Sequence, residues 1–210
     1  NKVSSSEVFT HKVGKFIEYV CDKYLSKISK ANSPREALNC VKNFRVLVGN
    51  KNIDTGTYQL NQKIEIQLGM AVGTNYHGRP IMVVENNYST KLFNGDVGII
   101  WGAKAYFEDS EGGLREIGIT RLPKVETVYV MTIHKSQGSE FNNIAILLPD
   151  EHNQLLSREL LYTGITRAKS KVYVVATKQV WDSTVNKKIN RFSNIHKTLV
   201  DNSNTTVGEV

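Results

Sequence analysis

The amino-acid sequence predicts an α/β fold: a parallel sheet flanked by helices, with a small antiparallel β subdomain inserted into it. Three stretches carry that expectation. Ile144 to Leu148 is an unbroken apolar run of the kind buried on both faces of a parallel sheet. Phe44 to Val48, Gly49 to Asn52 and Thr57 to Leu68 succeed one another as strand, loop and helix. Between Val97 and Leu122 short strand-like runs alternate with turn residues, the signature of hairpins.

Taken in order, residues 7 to 30 place Val8, Phe9, Val13, Phe16, Ile17, Val20, Tyr24 and Ile28 at a three-to-four spacing, which predicts an amphipathic helix capped by Ser6. Its lysines, Lys12, Lys15, Lys23, Lys27 and Lys30, fall mostly off that stripe, as expected of a solvated face. Asn32-Ser33-Pro34 breaks the pattern and caps a second helix, Arg35 to Lys42. Gly69 to Pro80 is rich in Gly, Asn and His and predicts a loop; His77 and His11 have no neighbours at metal-ligand spacing. Ile81 to Glu85 predicts a strand, and Leu92 to Asp96 a turn. The hairpin region then offers strands at Val97 to Trp101, Lys104 to Glu108 and Arg115 to Thr120, and Pro123 is expected to return the chain to the main sheet. Val128 to Ile133, Ile144 to Leu148 and Lys171 to Thr177 supply further strands, with helices at Arg158 to Ala168 and Lys178 to Ile189. The domains expected are 1–96, the insert 97–123, a return to the main domain over 124–200, and a disordered tail from 201.

Most of the polar chemistry sits in Thr132-Ile133-His134-Lys135-Ser136-Gln137-Gly138-Ser139-Glu140-Phe141, between two strands. A cation, a titratable ring, hydroxyls, an amide, a flexible glycine and a carboxylate suit phosphates and sugar hydroxyls, and strand ends in open α/β sheets are where ligands bind. On the helix over Arg158 to Ala168, Leu160, Leu161, Gly164, Ile165 and Ala168 form a packing side. Glu159, Tyr162, Thr163, Thr166 and Arg167 form a polar stripe. Arg167 at its end suits a helix-dipole contact or a cation aimed at a phosphate.

Composition narrows the class. The chain has 210 residues, 40% hydrophobic and 22% charged, with a formal charge of +7 and a pI near 9.3, which favours a polyanionic partner. No apolar stretch is long enough to span a bilayer, and a cytoplasmic location is expected. Cys21 and Cys40 alone make neither a disulfide framework nor a metal site, and they suit buried free thiols. No carboxylate cluster suits metal-dependent phosphodiester cleavage.

Two segments carry a family resemblance. His134 to Phe141 and Arg158-Glu159-Leu160-Leu161-Tyr162-Thr163-Gly164-Ile165-Thr166-Arg167-Ala168 closely resemble motifs V and VI of superfamily 1 helicases. With Leu92-Phe93-Asn94-Gly95-Asp96-Val97-Gly98, the combination is similar to the RecD family, over roughly residues 44 to 180. The resemblance implies a RecA-like motor domain with an SH3-like insert, from a translocase moving 5′ to 3′ on single-stranded DNA within a RecBCD-type complex. It implies Arg167 as the catalytic arginine finger on the γ-phosphate of ATP. Gly138 and Glu140 would face the nucleotide, and Thr132, His134, Lys135, Ser136 and Asn94 the DNA, with Gln137, counted among the nucleotide-binding residues, open to either side. ATP and Mg²⁺ would be held mainly by another motor domain, since no G-x-x-x-x-G-K-[ST] occurs: Gly14-Lys15 lacks both the upstream glycine and a following Ser or Thr. With no initiator methionine at position 1, the expectation is a carboxyl-terminal piece of a longer protein, inactive alone. Two other readings stay open, a helicase domain of a conjugative relaxase or related translocase, and a non-enzymatic DNA-binding subunit.

Overall fold

Two five-stranded sheets organise the computed structural model, which describes residues 5–9, 13–49, 56–151 and 155–187. Residues 50–52, the end of the helix expected to reach Ile189 and the tail from 201 lie outside the described residues.

The first sheet is parallel throughout. Its strands are β1 (Ser5–Phe9), β2 (Phe44–Val48), β8 (Val130–Thr132), β9 (Phe141–Leu147) and β10 (Ala168–Val175), in the order β1-β10-β9-β2-β8. On one face lie α1 (Val13–Val20), a π-helical turn (Cys21–Leu25), α2 (Ser26–Ser29), α3 (Pro34–Asn43) and α4 (Thr57–Gln67). On the other lie α5 (Arg158–Ile165) and α6 (Lys178–Asn186). Period-two alternation sorts the side chains between them: Ala145 and Leu147 join the first core, Ile144 and Ile146 the second. Each fully buried aliphatic side chain contributes about 1.5–3 kcal/mol, so the apolar run of β9 is the sheet's anchor.

Local chemistry starts two of the helices near the expected positions. The Ser33 hydroxyl accepts from Glu36 N, while the Glu36 carboxylate accepts from Asn32 N at 2.8 Å, a reciprocal cap that fixes the start of α3. Ser157 accepts from Leu160 N at the start of α5. Cys21 is buried and Cys40 is partly buried, both as free thiols.

Three features differ from the sequence reading. Residues 5 to 9 form an edge strand of the parallel sheet rather than the start of a helix. Val8 and Phe9 share the apolar spacing of the helix beginning at Val13, and only pairing with β10 distinguishes strand from helix there. The helix over Arg158 to Ala168 stops at Ile165, and Ala168 already belongs to β10. The antiparallel sheet also reaches beyond the 97–123 stretch, in the order β6-β5-β4-β3-β7. It adds β3 (Pro80–Val83) and β7 (Val125–Thr127) to β4 (Val97–Trp101), β5 (Lys104–Glu108) and β6 (Leu114–Gly118). Its own core gathers Ile81, Val83, Leu92, Ile100, Ala105, Phe107 and Ile117. Lys42 and Arg35 of α3 pair with Glu108 of β5 and tie the two sheets together.

Candidate functional site

The segment from Thr132 to Phe141 crosses the parallel sheet from edge to edge. Val48 is level with both Thr132 and Leu147, so Thr132 stands at the carboxyl edge. Phe141 lies six residues before Leu147 at the opposite, amino edge, about 20 Å away at 3.3 Å per residue. Because β2 separates β8 from β9, the loop passes over β2 on the α5 side. Ile133 is fully buried on that route, and its Cδ1 lies 3.1 Å from where a Gly164 Cβ would stand. The glycine is what lets α5 close over the loop. The loop therefore has two ends, at two edges of the sheet.

At the carboxyl end, residues 134 to 136 form one 3₁₀ turn. Thr132 Oγ1 accepts from Lys135 N at 3.2 Å, and the buried Ser136 hydroxyl donates to the Ile133 carbonyl at 2.7 Å. Both hydroxyls thus help to hold the turn. His134 is exposed, and Lys135 Nζ lies 3.7 Å from Glu126. Lys135 also borders a cleft of about 310 Å³ between α4 and β7, where Asn61, Glu65, Arg79 and Thr127 are neighbours. That floor is already hydrogen-bonded: Arg79 Nε donates to Thr127 Oγ1 at 2.9 Å, and the Thr127 hydroxyl donates to Glu65 at 2.8 Å.

At the amino end, the loop meets the end of α5. Gln137 and Gly138 are exposed, and Gly138 turns the chain with φ +82°, a left-handed value that glycine adopts without a Cβ clash. Phe141 N donates to the Arg167 carbonyl at 2.8 Å. The Arg167 guanidinium donates to the carbonyls of Thr163 (3.2 Å) and Ser139 (3.4 Å) and to Thr166 Oγ1 (3.3 Å). All these acceptors are neutral. Among the described residues Arg167 has no carboxylate partner, and the adjacent Glu140 pairs with Lys169 instead, at 3.1 Å. A positioned, uncompensated cation beside an exposed carboxylate is suited to meeting an anion and a hydroxyl together.

Asn94 stands apart, on the loop between β3 and β4, where its N–H donates to Asn86 Oδ1 at 2.8 Å. Among the described residues no group of three or more His, Cys, Asp or Glu side chains is placed to hold a metal ion, and no helix is long and apolar enough to cross a membrane.

Comparison with known proteins bears on the same segments. Residues 127–175 match the UvrD-like helicase C-terminal domain. The RecBCD enzyme subunit RecD of Haemophilus influenzae is 37% identical over 83% of this chain, and that of Mycolicibacterium smegmatis 36% identical over 79%. The chain belongs to the RecD family. It corresponds to a carboxyl-terminal portion and spans 27% and 31% of those two relatives' lengths. Among solved structures, Bacteroides Pif1 helicase in complex with ADP-AlF3 and ssDNA is 12% identical, covering 91% of this chain and 54% of that one, with a TM-score of 0.47. At that score the superposition bears on neither site nor function.

Two residues of this RecD-family chain escaped the sequence reading. Lys169, one residue after the second motif, engages Glu140, and nothing in its spacing announces it. Arg45 lies in the middle of an apolar strand and is 2% exposed, its Nη1 donating to the Val128 carbonyl and its guanidinium 5.2 Å from the Phe141 ring. Its Nε has no partner, and burial pushes its pKa down to about 10. A charge inside Phe-Arg-Val-Leu-Val was the available signal.

Proposed function

We propose that the chain is the carboxyl-terminal, RecA-like motor domain of an ATP-dependent 5′ to 3′ DNA helicase subunit, acting within an exodeoxyribonuclease V complex. The relatives named RecBCD enzyme subunit RecD support that reading, as does the relative named ATP-dependent RecD2 DNA helicase from Deinococcus radiodurans, 29% identical over 53% of this chain. In it the antiparallel sheet is the SH3-like insert. The observation that carries the proposal is the Arg167 guanidinium, oriented by three neutral acceptors and, among the described residues, without a carboxylate partner.

The division of labour follows the two ends of the loop. At the amino edge Arg167 serves as the arginine finger, with Gln137, Gly138 and Glu140 on the nucleotide side. A guanidinium keeps its charge at all physiological pH and its planar fork matches phosphate oxygens. Neutral acceptors aim that fork without cancelling its charge. When bound, ATP with Mg²⁺ supplies the phosphoryl group, and the metal-holding residues belong to the other motor domain. At the carboxyl edge His134 and Lys135 face single-stranded DNA, while Thr132 and Ser136 act on that contact by fixing the turn. Asn94 would extend the DNA side onto the second sheet. Ile133, buried beneath α5, ties the two ends into one rigid strut, so closure around nucleotide displaces the DNA grip.

In the full-length protein, Arg167→Ala is expected to lower ATP turnover about a thousandfold, the scale of an arginine finger in phosphoryl transfer. Normal turnover would remove Arg167 from the mechanism and with it the basis of the proposal.

A further inference from the structure

The loop between β3 and β4 spends many hydrogen bonds to display two aromatic rings to solvent. Asn87 and Leu92 pair through both backbone amides, at 2.7 and 3.0 Å. Asn87 Oδ1 accepts from Ser89 Oγ (2.8 Å) and Thr90 N (3.1 Å), and Asp96 accepts from Phe93 N at 2.8 Å. Arg115 of β6 braces the loop by donating to the carbonyls of Thr90 and Lys91. Leu92 is buried in the core of the antiparallel sheet, and Lys91 accepts a φ of +52°, a left-handed value rare outside glycine. The result is a fixed tip. On it Tyr88 is 78% exposed and Phe93 46% exposed, their rings 6.1 Å apart and close to perpendicular.

Folding gains little from rings left in water, so a rigid mount for two of them points to a ligand. The polar groups beside the rings select its class. Lys91 is exposed and, among the described residues, has no carboxylate partner, while Asn86, Asn87, Ser89 and Asn94 supply amides and a hydroxyl within the same short loop. Exposed aromatics beside a free cation and short polar groups, in a chain of net charge +7, match the way proteins hold unpaired bases.

We propose that Tyr88 and Phe93 form a base-stacking platform for single-stranded nucleic acid on the antiparallel sheet, with Lys91 against the backbone phosphates. This rests on the reading that the chain contacts single-stranded DNA. It gives the loop that carries Asn94 a stacking role, remote in sequence from the His134–Lys135 turn and with a different chemical preference. Stacking needs bases, whereas the turn needs only phosphates.

The test compares a 20-nucleotide oligothymidine with an abasic strand of equal charge, titrated against the intact chain and against Tyr88→Ala, Phe93→Ala, Tyr88→Trp and Lys135→Ala. Each alanine on the platform is expected to weaken oligothymidine binding about tenfold, within the range of base–aromatic stacking. The same alanines leave abasic-strand affinity and the salt slope unchanged, and Tyr88→Trp retains affinity. Lys135→Ala is expected to flatten the salt slope for both strands. Platform variants that bind oligothymidine as the intact chain does overturn the proposal while the DNA reading stands. Equal losses on both strands also overturn it, since a disturbed fold rather than lost stacking would be responsible. No binding of either strand by the intact chain overturns the platform and the DNA reading together.

Discussion

The two edges of the parallel sheet treat charge in opposite ways. At the carboxyl edge the turn is self-satisfied: Thr132 and Ser136 bond within it, and Lys135 has Glu126 opposite. At the amino edge, among the described residues, Arg167 is held only by neutral oxygens, although the loop it contacts carries a carboxylate, Glu140. Lys169 takes that carboxylate. Arrangement rather than composition thus decides which cation is left available. Arg45, near the same edge, sharpens the contrast, because among the described residues it too lacks a carboxylate but is sealed beneath Phe141 where no ligand reaches. Burial without a countercharge costs stability, while partial exposure without one leaves a binding group.

That contrast can be broken by cutting the strut between the edges. Ile133→Ala removes the fully buried side chain that packs under α5, and a loss of about 2–5 kcal/mol is expected in denaturant unfolding. A loss below about 1 kcal/mol would mean that the loop is not clamped. Gly138→Ala places a Cβ where φ is +82° and is expected to cost about 1–2 kcal/mol. The space around it is open, so backbone strain alone is measured; an unchanged unfolding midpoint would show that the turn relaxes freely. Lys169→Ala tests the smallest element. Its pair with Glu140 is exposed on both sides, so stability should change by less than about 1 kcal/mol. A larger loss would make the pair a structural clamp instead of a holder for Glu140.

Much of the fold was legible because it rests on local pattern. The strands at Phe44–Val48, Val97–Trp101 and Lys104–Glu108, and the helices from Pro34, Thr57 and Arg158, arise from periodicity and caps. What depended on partners was not legible. The strand at Ser5–Phe9 and the membership of Pro80–Val83 in the antiparallel sheet are properties of pairing, and a short apolar run does not announce its neighbour. At the site, the residue types were visible but the route was not. A loop leaving one strand end could stay there, and only the parallel direction of β8 and β9 carries Glu140 to the other edge beside Arg167.

Central to the motor reading is that Arg167 acts as an aimed fork and not as a mere positive charge. Arg167→Lys in the full-length protein tests it most directly, since lysine keeps the charge but cannot reproduce the planar set of contacts to Thr163, Ser139 and Thr166. Steady-state ATP turnover close to that of Arg167→Ala is the predicted result. Turnover restored to the level of the unmodified protein would contradict it.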